Sequence, residues 1–437
     1  IEFLNTKGVL LQKHFVILHL LVEFASIKEL RLMLKTKNKS VLIIGTGSLL
    51  NYGCEAIVQG SYQILKTIMP DCNITVASKD IEYDRTVLPS DVNLVKYENR
   101  YSLYRIFKGI LRRFFHIGNG SPIRMNTKIG KKYDIVLSCG GDNYCETPDG
   151  GIYILLEDLM RVGAYAAKNS CYYVLWGASV GPFRNNDIFN RVRENLALCK
   201  LITVREELAY NYVSQKMQLS LTTKLVADPA FCMKPDRTVN FRKDNDFIYV
   251  GLNLSSLAVN HALDEEDSEK FLLNLFESLD SVLTHNNNVR FICIPHVVCE
   301  EAVQNDIVFM NQYLEHSIYQ DRIEILPARL GARKTKAILE KMDLVVAARM
   351  HCCVGAISVS TPTLFVVYSN KGRGMSYYAY GHHAYEVEIK ELIGETFLLK
   401  LNKMLDNRTI IREYLKNQQK RFCKDALSAG QYLSEIM

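Results

Sequence analysis

No CxxC pair occurs anywhere in the chain, although it carries twelve cysteines. Structural zinc sites need Cys and His clustered at short spacing, so no metal site is expected. Thiols scattered through a long chain fit a reducing, cytoplasmic setting better than a disulfide framework. Long apolar runs are missing too. A spanning helix needs roughly 18 or more uncharged apolar residues. The nearest stretch, Val9–Leu34, is interrupted by Lys13, His14, His19, Glu23, Lys28, Glu29 and Arg31. Charge of one sign is not in large excess, with a formal net charge of +6. No run resembles a nucleic-acid arm and no alternation of basic and aromatic residues recurs, so nucleic acid is not an expected partner. Low-complexity segments are absent.

What is there reads as an ordinary globular protein of two or three domains, since 437 residues exceed one core and 48% are hydrophobic. Residues 1–39 are expected to form a helix. Its apolar face (Phe15, Leu18, Leu21, Val22, Phe24) packs on the globule, with a membrane-surface helix as the alternative. Residues 80–130 show little period and read as an irregular insertion with one basic helix, Leu103–Phe115. Basic clusters at Tyr104–Arg113 and Lys128–Lys132 suit a weak attraction to anionic lipid.

Apolar runs ending in polar or glycine-rich tips, each followed by a helical stretch, repeat along the chain. Val41–Gly45 runs into a Gly-rich loop and a helix near Glu55. It is not a dinucleotide fingerprint, because Leu50 stands where the third Gly belongs, and no Gly-Lys-Ser/Thr follows as in a Walker loop. Strands at Asp134–Ser138, Tyr172–Trp176 and Leu201–Val204 end in Gly140-Gly141-Asp142-Asn143-Tyr144, in Gly177-Ala178-Ser179 and in Arg205-Glu206. The rhythm restarts at Phe247–Leu252 after a polar stretch. The expected fold is α/β: two Rossmann-like doubly wound parallel-sheet domains facing a cleft, GT-B-like in the family comparison below. The expected boundaries are 40–231, a linker at 232–246, 247–387, and C-terminal helices over 388–437 that pack back.

The most informative stretch is Met342–Arg373. Leu344–Ala347 is long enough for one buried parallel strand, and Arg349 and His351 follow at its carboxyl end. Thr363–Val367 is the next strand and leads to Ser369 and Lys371. Ligands of open parallel sheets bind along that rim. Two fixed cations and an imidazole there suit a phosphate or carboxylate, although a lone strand-end Arg is more often a local ion pair. Arg205 is weighed evenly between these readings. From the first domain, Asn51, Glu55, Gly141, Asp142, Asn143, Tyr144 and Ser179 line the opposite rim. Helix capping and turn chemistry explain Glu55, Asp142 and Asn143 about as well as a site does.

Seven short motifs fall in the order found in the polysaccharide pyruvyl transferases, and the chain resembles that family over about residues 40–385. They are Asn51-Tyr52-Gly53-Cys54-Glu55-Ala56-Ile57, Cys139-Gly140-Gly141-Asp142, Ser179-Val180-Gly181-Pro182-Phe183, Val204-Arg205-Glu206, Asp228-Pro229-Ala230-Phe231, Arg349-Met350-His351 and Tyr368-Ser369-Asn370-Lys371. One departure is Cys54, where the family usually has Asp. The resemblance implies a GT-B-like two-domain fold and a bacterial enzyme, and the apolar N-terminal helix and the basic insertion suit a lipid-linked acceptor at the inner face of the cell membrane. It implies phosphoenolpyruvate as donor, no cofactor beyond that co-substrate, and a sugar in a glycan or lipid-linked oligosaccharide as acceptor. The product would be a pyruvate ketal bridging two hydroxyls, with phosphate released.

That chemistry assigns roles. Arg205, Arg349, Met350, His351, Ser369 and Lys371 are the candidate donor-binding set. Arg suits planar bidentate contacts and Lys a point charge. His351, Arg349, Asp142 and Glu55 are the catalytic candidates. Cations around His351 disfavour its charged form, which favours a base or a phosphate hydrogen-bond donor. Asn51, Gly141, Asp142, Asn143, Tyr144 and Ser179 are the acceptor-binding candidates. The rival readings are a GT-B glycosyltransferase using a nucleotide sugar and a non-catalytic glycan- or anion-binding protein.

Overall fold

The computed structural model describes residues 38–96, 100–101, 123–124, 126–147, 150–254, 258–260, 265–299 and 304–437. The helices expected at Val9–Leu34 and Leu103–Phe115 lie outside the described residues.

The first domain is a seven-stranded parallel sheet: β1 (Ser40–Ile44), β2 (Asn73–Ser78), β3 (Asn93–Lys96), β4 (Ile135–Ser138), β5 (Tyr172–Ala178), β6 (Leu201–Val204) and β7 (Thr223–Leu225). Its spatial order is β3-β2-β1-β4-β5-β6-β7. Four of the five β1 residues and all of β4 are buried, as strands covered on both faces require. The helices are α1 (Tyr52–Ile68), α2 (Ile81–Val87), α3 (Ile154–Lys168), α4 (Asn186–Leu196) and α5 (Glu207–Asn211). Residues 80–96 are thus not irregular. They form α2, capped by Asp80 accepting from the Tyr83 N–H, and the edge strand β3. Both elements are short and polar enough to hide their period.

The second domain is a six-stranded parallel sheet: β8 (Ile248–Asn253), β9 (Val289–Cys293), β10 (Ile323–Ile325), β11 (Leu344–Ala347), β12 (Thr363–Val367) and β13 (Glu386–Glu388), in the order β10-β9-β8-β11-β12-β13. Around it lie α6 (Glu265–His285), α7 (Asp306–His316), α8 (Ala332–Leu339), α9 (Met350–Ser358) and α10 (Asn370–Tyr380). The last helices, α11 (Glu395–Asp406) and α12 (Arg408–Ile436), follow. α12 crosses to the first domain, where Phe422 stacks on Phe231 at 5.0 Å and the Asp425 carbonyl accepts the Ala227 N–H at 3.2 Å. In both sheets the order reverses beside the first strand, between β1 and β4 and between β8 and β11. These switch points open a crevice at the carboxyl ends of the strands, and the two crevices face each other.

Two glycines allow close approaches here, one within the first domain and one between the domains. Gly45 has φ +92°, and a Cβ there would overlap the Cys139 carbonyl at the tip of β4. A Cβ at Gly53 would lie 2.5 Å from His351 Nδ1, so this first turn of α1 lets the second domain approach. Asn51 caps that helix by accepting the Gly53 N–H at 3.0 Å. No described helix is long and apolar enough to cross a membrane.

Candidate active site

The strand tips deliver charged groups to the interdomain crevice, and each cation there is paired with a carboxylate. Arg205, at the end of β6, has a side chain only 1% exposed. Its Nη1 donates to Asp228 Oδ2 at 2.6 Å, and its Nε lies 3.3 Å from Glu206 Oε1. Its Nη2 donates to Ser179 Oγ at 3.0 Å and lies 3.4 Å from Asp142 Oδ1. Arg205 therefore makes the local ion pair and also reaches across the crevice, where His351 Nε2 is 3.4 Å from its Nη1. His351 Nε2 also lies 3.4 Å from Asp228 Oδ2. Asp228 is wholly buried. Burial pushes its carboxyl up, but the Arg205 guanidinium, then His351 and the Ala230 N–H, outweigh this and hold it far below the usual carboxylate range.

Lys371, in the first turn of α10, meets the first domain directly. Its Nζ is 2.7 Å from Asp142 Oδ1 and 3.3 Å from Cys145 Sγ. Enclosure opposes both charges, yet the pairing lowers Asp142 and raises Lys371. The Asp142 side chain is still 54% exposed, so it sits at the mouth. A cavity of about 320 Å³ lies at the carboxyl end of β12, lined by residues that include Val367, Tyr368, Ser369, Arg373, Glu388 and Lys390.

Arg349 stands at the position before α9 without capping it, and its guanidinium points to Asp306, with Nη2 at 2.7 Å and Nε at 3.2 Å from Oδ1. The other oxygen of Asp306 accepts the N–H groups of His296 at 2.9 Å and Val297 at 3.1 Å. Asn253 joins in, accepting the Arg349 N–H at 3.0 Å. One buried carboxylate thus fixes both Arg349 and the loop after β9. Three cations (Arg205, Arg349, Lys371) face four carboxylates (Asp142, Glu206, Asp228, Asp306), so the sequence picture of a cationic cradle is corrected. His351 likewise has a carboxylate beside it and not only cations.

Several predicted residues have other duties. Glu55 is 1% exposed and accepts the Ala332 N–H at 2.7 Å, capping α8 of the second domain across the interface. Burial pushes its carboxyl up to about 8, against the Ala332 N–H and Arg333. It is a latch between domains and not part of the Arg205 cluster. Tyr144 is wholly buried, its hydroxyl shared with Ser138 Oγ at 2.9 Å and Tyr173 Oη at 3.1 Å, so it has no face for an acceptor. Ser179 is buried and holds Arg205 and Glu206 together. Asn143 Nδ2 donates to the Gly45 carbonyl at 2.7 Å, bracing the β1 loop. The Gly141 carbonyl accepts the Ser179 N–H at 3.1 Å. Met350 is half-buried in the first turn of α9 and Ser369 is exposed at the start of α10. Cys54 replaces the family's Asp with a thiol that burial pushes up to about 12, so it brings no charge.

Sequence reasoning missed three residues as site members. Asp228 was legible within a motif but its partner was not. Asp306 stands in none of the seven motifs, and neither does His296. The structure makes it a second crevice imidazole, 5% exposed, edge-on to Tyr52 at 5.8 Å between centroids, with Nδ1 unpartnered. Burial, then His351 and Arg349, press its pKa down to about 3.

Two facing Rossmann-like domains with an interdomain site define a GT-B fold, and solved structures of that architecture match nearly the whole chain. A putative UDP-N-acetylglucosamine 2-epimerase from Listeria monocytogenes is 12% identical, with a TM-score of 0.58 over 91% of this chain and 95% of that one. The UDP-GlcNAc 2-epimerase from Neisseria meningitidis bound to UDP-GlcNAc is 12% identical, with a TM-score of 0.54 over 91% and 98%. A trehalose-6-phosphate synthase is 10% identical, with a TM-score of 0.53 over 91% and 99%. At such identities the likeness is one of fold. A search of the curated proteins found no match. The family model for polysaccharide pyruvyl transferase matches residues 51–370. The chain belongs to the polysaccharide pyruvyl transferase family, and the family makes it a pyruvyltransferase enzyme of polysaccharide biosynthesis.

Proposed function

We propose that the protein moves the pyruvyl unit of phosphoenolpyruvate onto two hydroxyls of one sugar, in a surface polysaccharide or its lipid-linked precursor. A ketal forms and phosphate leaves. The observation that carries this reading is the Lys371–Asp142 pair at the mouth of the crevice, beside Arg205 and His351. An anionic donor displaces the half-exposed Asp142 carboxylate and takes over the Lys371 ammonium. Asp142 is then free beside the acceptor, where it can accept a hydroxyl proton. His351 delivers a proton to the methylene carbon of the enol, which becomes the methyl group. One sugar hydroxyl adds to the cationic carbon. The second displaces phosphate, and the two hydroxyl protons end on the base and the leaving phosphate. Asp228 and Arg205 hold the imidazole in place throughout. The reaction's location at the inner face of the cell membrane is part of the same proposal, as is a lipid-linked acceptor.

The test is phosphate release from phosphoenolpyruvate with a panel of glycan acceptors, in wild type and Lys371→Met. Acceptor-dependent release is expected, with KM for phosphoenolpyruvate raised by about tenfold or more in the variant. The Lys371–Asp142 pair is partly exposed, so the variant's stability should change little. Neither release nor thermal protection by phosphoenolpyruvate, together with protection by a nucleotide sugar, would overturn the reading.

A further inference from the structure

Cys232 and Cys423 are free thiols that meet where the chain passes from one domain to the other. Cys232 ends the short helical turn Pro229–Cys232, where the linker begins, and is buried. Cys423 lies on α12 and is exposed. Phe231 stacks on Phe422 at 5.0 Å, and this contact brings the following residues of both segments side by side. Cys232 Sγ lies 3.9 Å from the Cys423 carbonyl, so the buried thiol sits against the backbone of the exposed one. The charged groups facing them are Lys336 on α8, buried, whose Nζ donates to the Met233 carbonyl at 2.6 Å, and, on the Cys232 side, the Asp228 carboxylate. Hydrogen bonding from Cys232 favours the Cys423 thiolate and the Lys336 charge adds to it, against some burial, so Cys423 sits below the ordinary thiol range. Cys232 is shifted the other way, first by that same contact and then by burial.

An accessible thiol of thiolate character beside a buried partner is the arrangement that oxidises in two steps. We propose that Cys423 and Cys232 are a peroxide-sensitive pair, and that their disulfide staples α12 to the segment entering the linker. The Cys423 thiolate attacks a hydroperoxide, the O–O bond breaks, Cys423 sulfenic acid forms, and the leaving alkoxide or hydroxide takes a proton from solvent to become an alcohol or water. The Cys232 thiol then attacks the sulfenic sulfur. The S–S bond forms and the hydroxyl leaves as water with the Cys232 proton. Two electrons pass from the thiols to the peroxide.

The staple would reach the site. Asp228 precedes Pro229 and caps the same turn by accepting the Ala230 N–H at 2.8 Å. Cys232 is therefore one short turn from the carboxylate that holds Arg205 and His351.

Hydrogen peroxide titration of the full chain, read by mass spectrometry of non-reducing digests, tests the pair. A Cys232–Cys423 cross-linked peptide is expected, reversed by dithiothreitol and absent in Cys423→Ser and Cys232→Ser. In Cys232→Ser, Cys423 should instead accumulate a dimedone-trapped sulfenic acid. In wild type at neutral pH, Cys423 should alkylate about tenfold faster than the half-exposed thiols Cys54 and Cys299. Dimedone labelling of Cys423 in wild type without the cross-link would overturn the resolving role of Cys232. Neither cross-link nor selective labelling would overturn the proposal, whatever the enzymatic assay shows.

Discussion

Replacing Asp228 by Asn tests whether the Arg205 cluster is built as described. The carboxylate is fully buried and its partner's side chain is 1% exposed. Removing one member of a buried pair costs about 3–5 kcal/mol, because the other charge stays buried. Glu206 and Asp142 remain near Arg205, and Asn keeps an acceptor for the Ala230 N–H, so the lower end, about 3 kcal/mol, is expected. For a domain of this size that is a fall in Tm of about 6–12 °C. The chain's single tryptophan gives the assay. Trp176 is buried in β5 of the first domain and donates to Ser61 Oγ at 3.0 Å, so its fluorescence follows unfolding of the domain that carries Asp228. The pH dependence has a definite sign. Asp228 has a depressed native pKa, so its contribution is complete above the unfolded value of about 3.9 and fades as pH falls below it. Wild type and variant should differ equally at pH 7 and pH 5 and converge in stronger acid. A difference below about 1 kcal/mol at pH 7 would refute the buried-pair argument.

Glu55 should act in the opposite sense. Its carboxyl is raised from 4.5 to about 8, so between those values the native state holds a proton that the unfolded chain has released. Wild-type stability should therefore fall as pH rises from 5 to 8, and Glu55→Gln should flatten that slope in denaturant titrations at several pH values. His296→Phe removes an unpartnered buried nitrogen while keeping a ring edge-on to Tyr52, so stability should hold or rise by about 1 kcal/mol. Phosphate release should fall in the same variant if the imidazole is kept for the transfer reaction, and an unchanged kcat/KM would make His296 a packing residue.

Most strands were legible because a parallel sheet covered on both faces forces short continuous apolar runs, as in Val41–Ile44, Leu344–Ala347 and Thr363–Val367. Their polar tips were legible for the same reason, since a run must end where the chain leaves the core. The edge elements Ile81–Val87 and Asn93–Lys96 were lost, because half-exposed segments carry mixed residues. Arg205, Arg349, His351 and Lys371 were found as strand-end or helix-start cations, and Asp142 as a strand-tip acid. What each one touches was not readable. Arg349 and Asp306 are separated by 43 positions and Arg205 and His351 by 146. Nothing local in either partner announces the other.

The sequence alone determined the α/β rhythm, the family and the rim on which the charged side chains gather, because alternating burial and short motifs are local properties. Only the tertiary structure decided how those charges are spent. It set Lys371 against Asp142, Arg205 against Asp228 and Arg349 against Asp306, turned Glu55 into an interdomain cap, and brought Cys232 beside Cys423. Ion pairing, desolvation and thiol contact depend on distances fixed by packing two sheets and a returning helix together, and these distances are not written in any one segment.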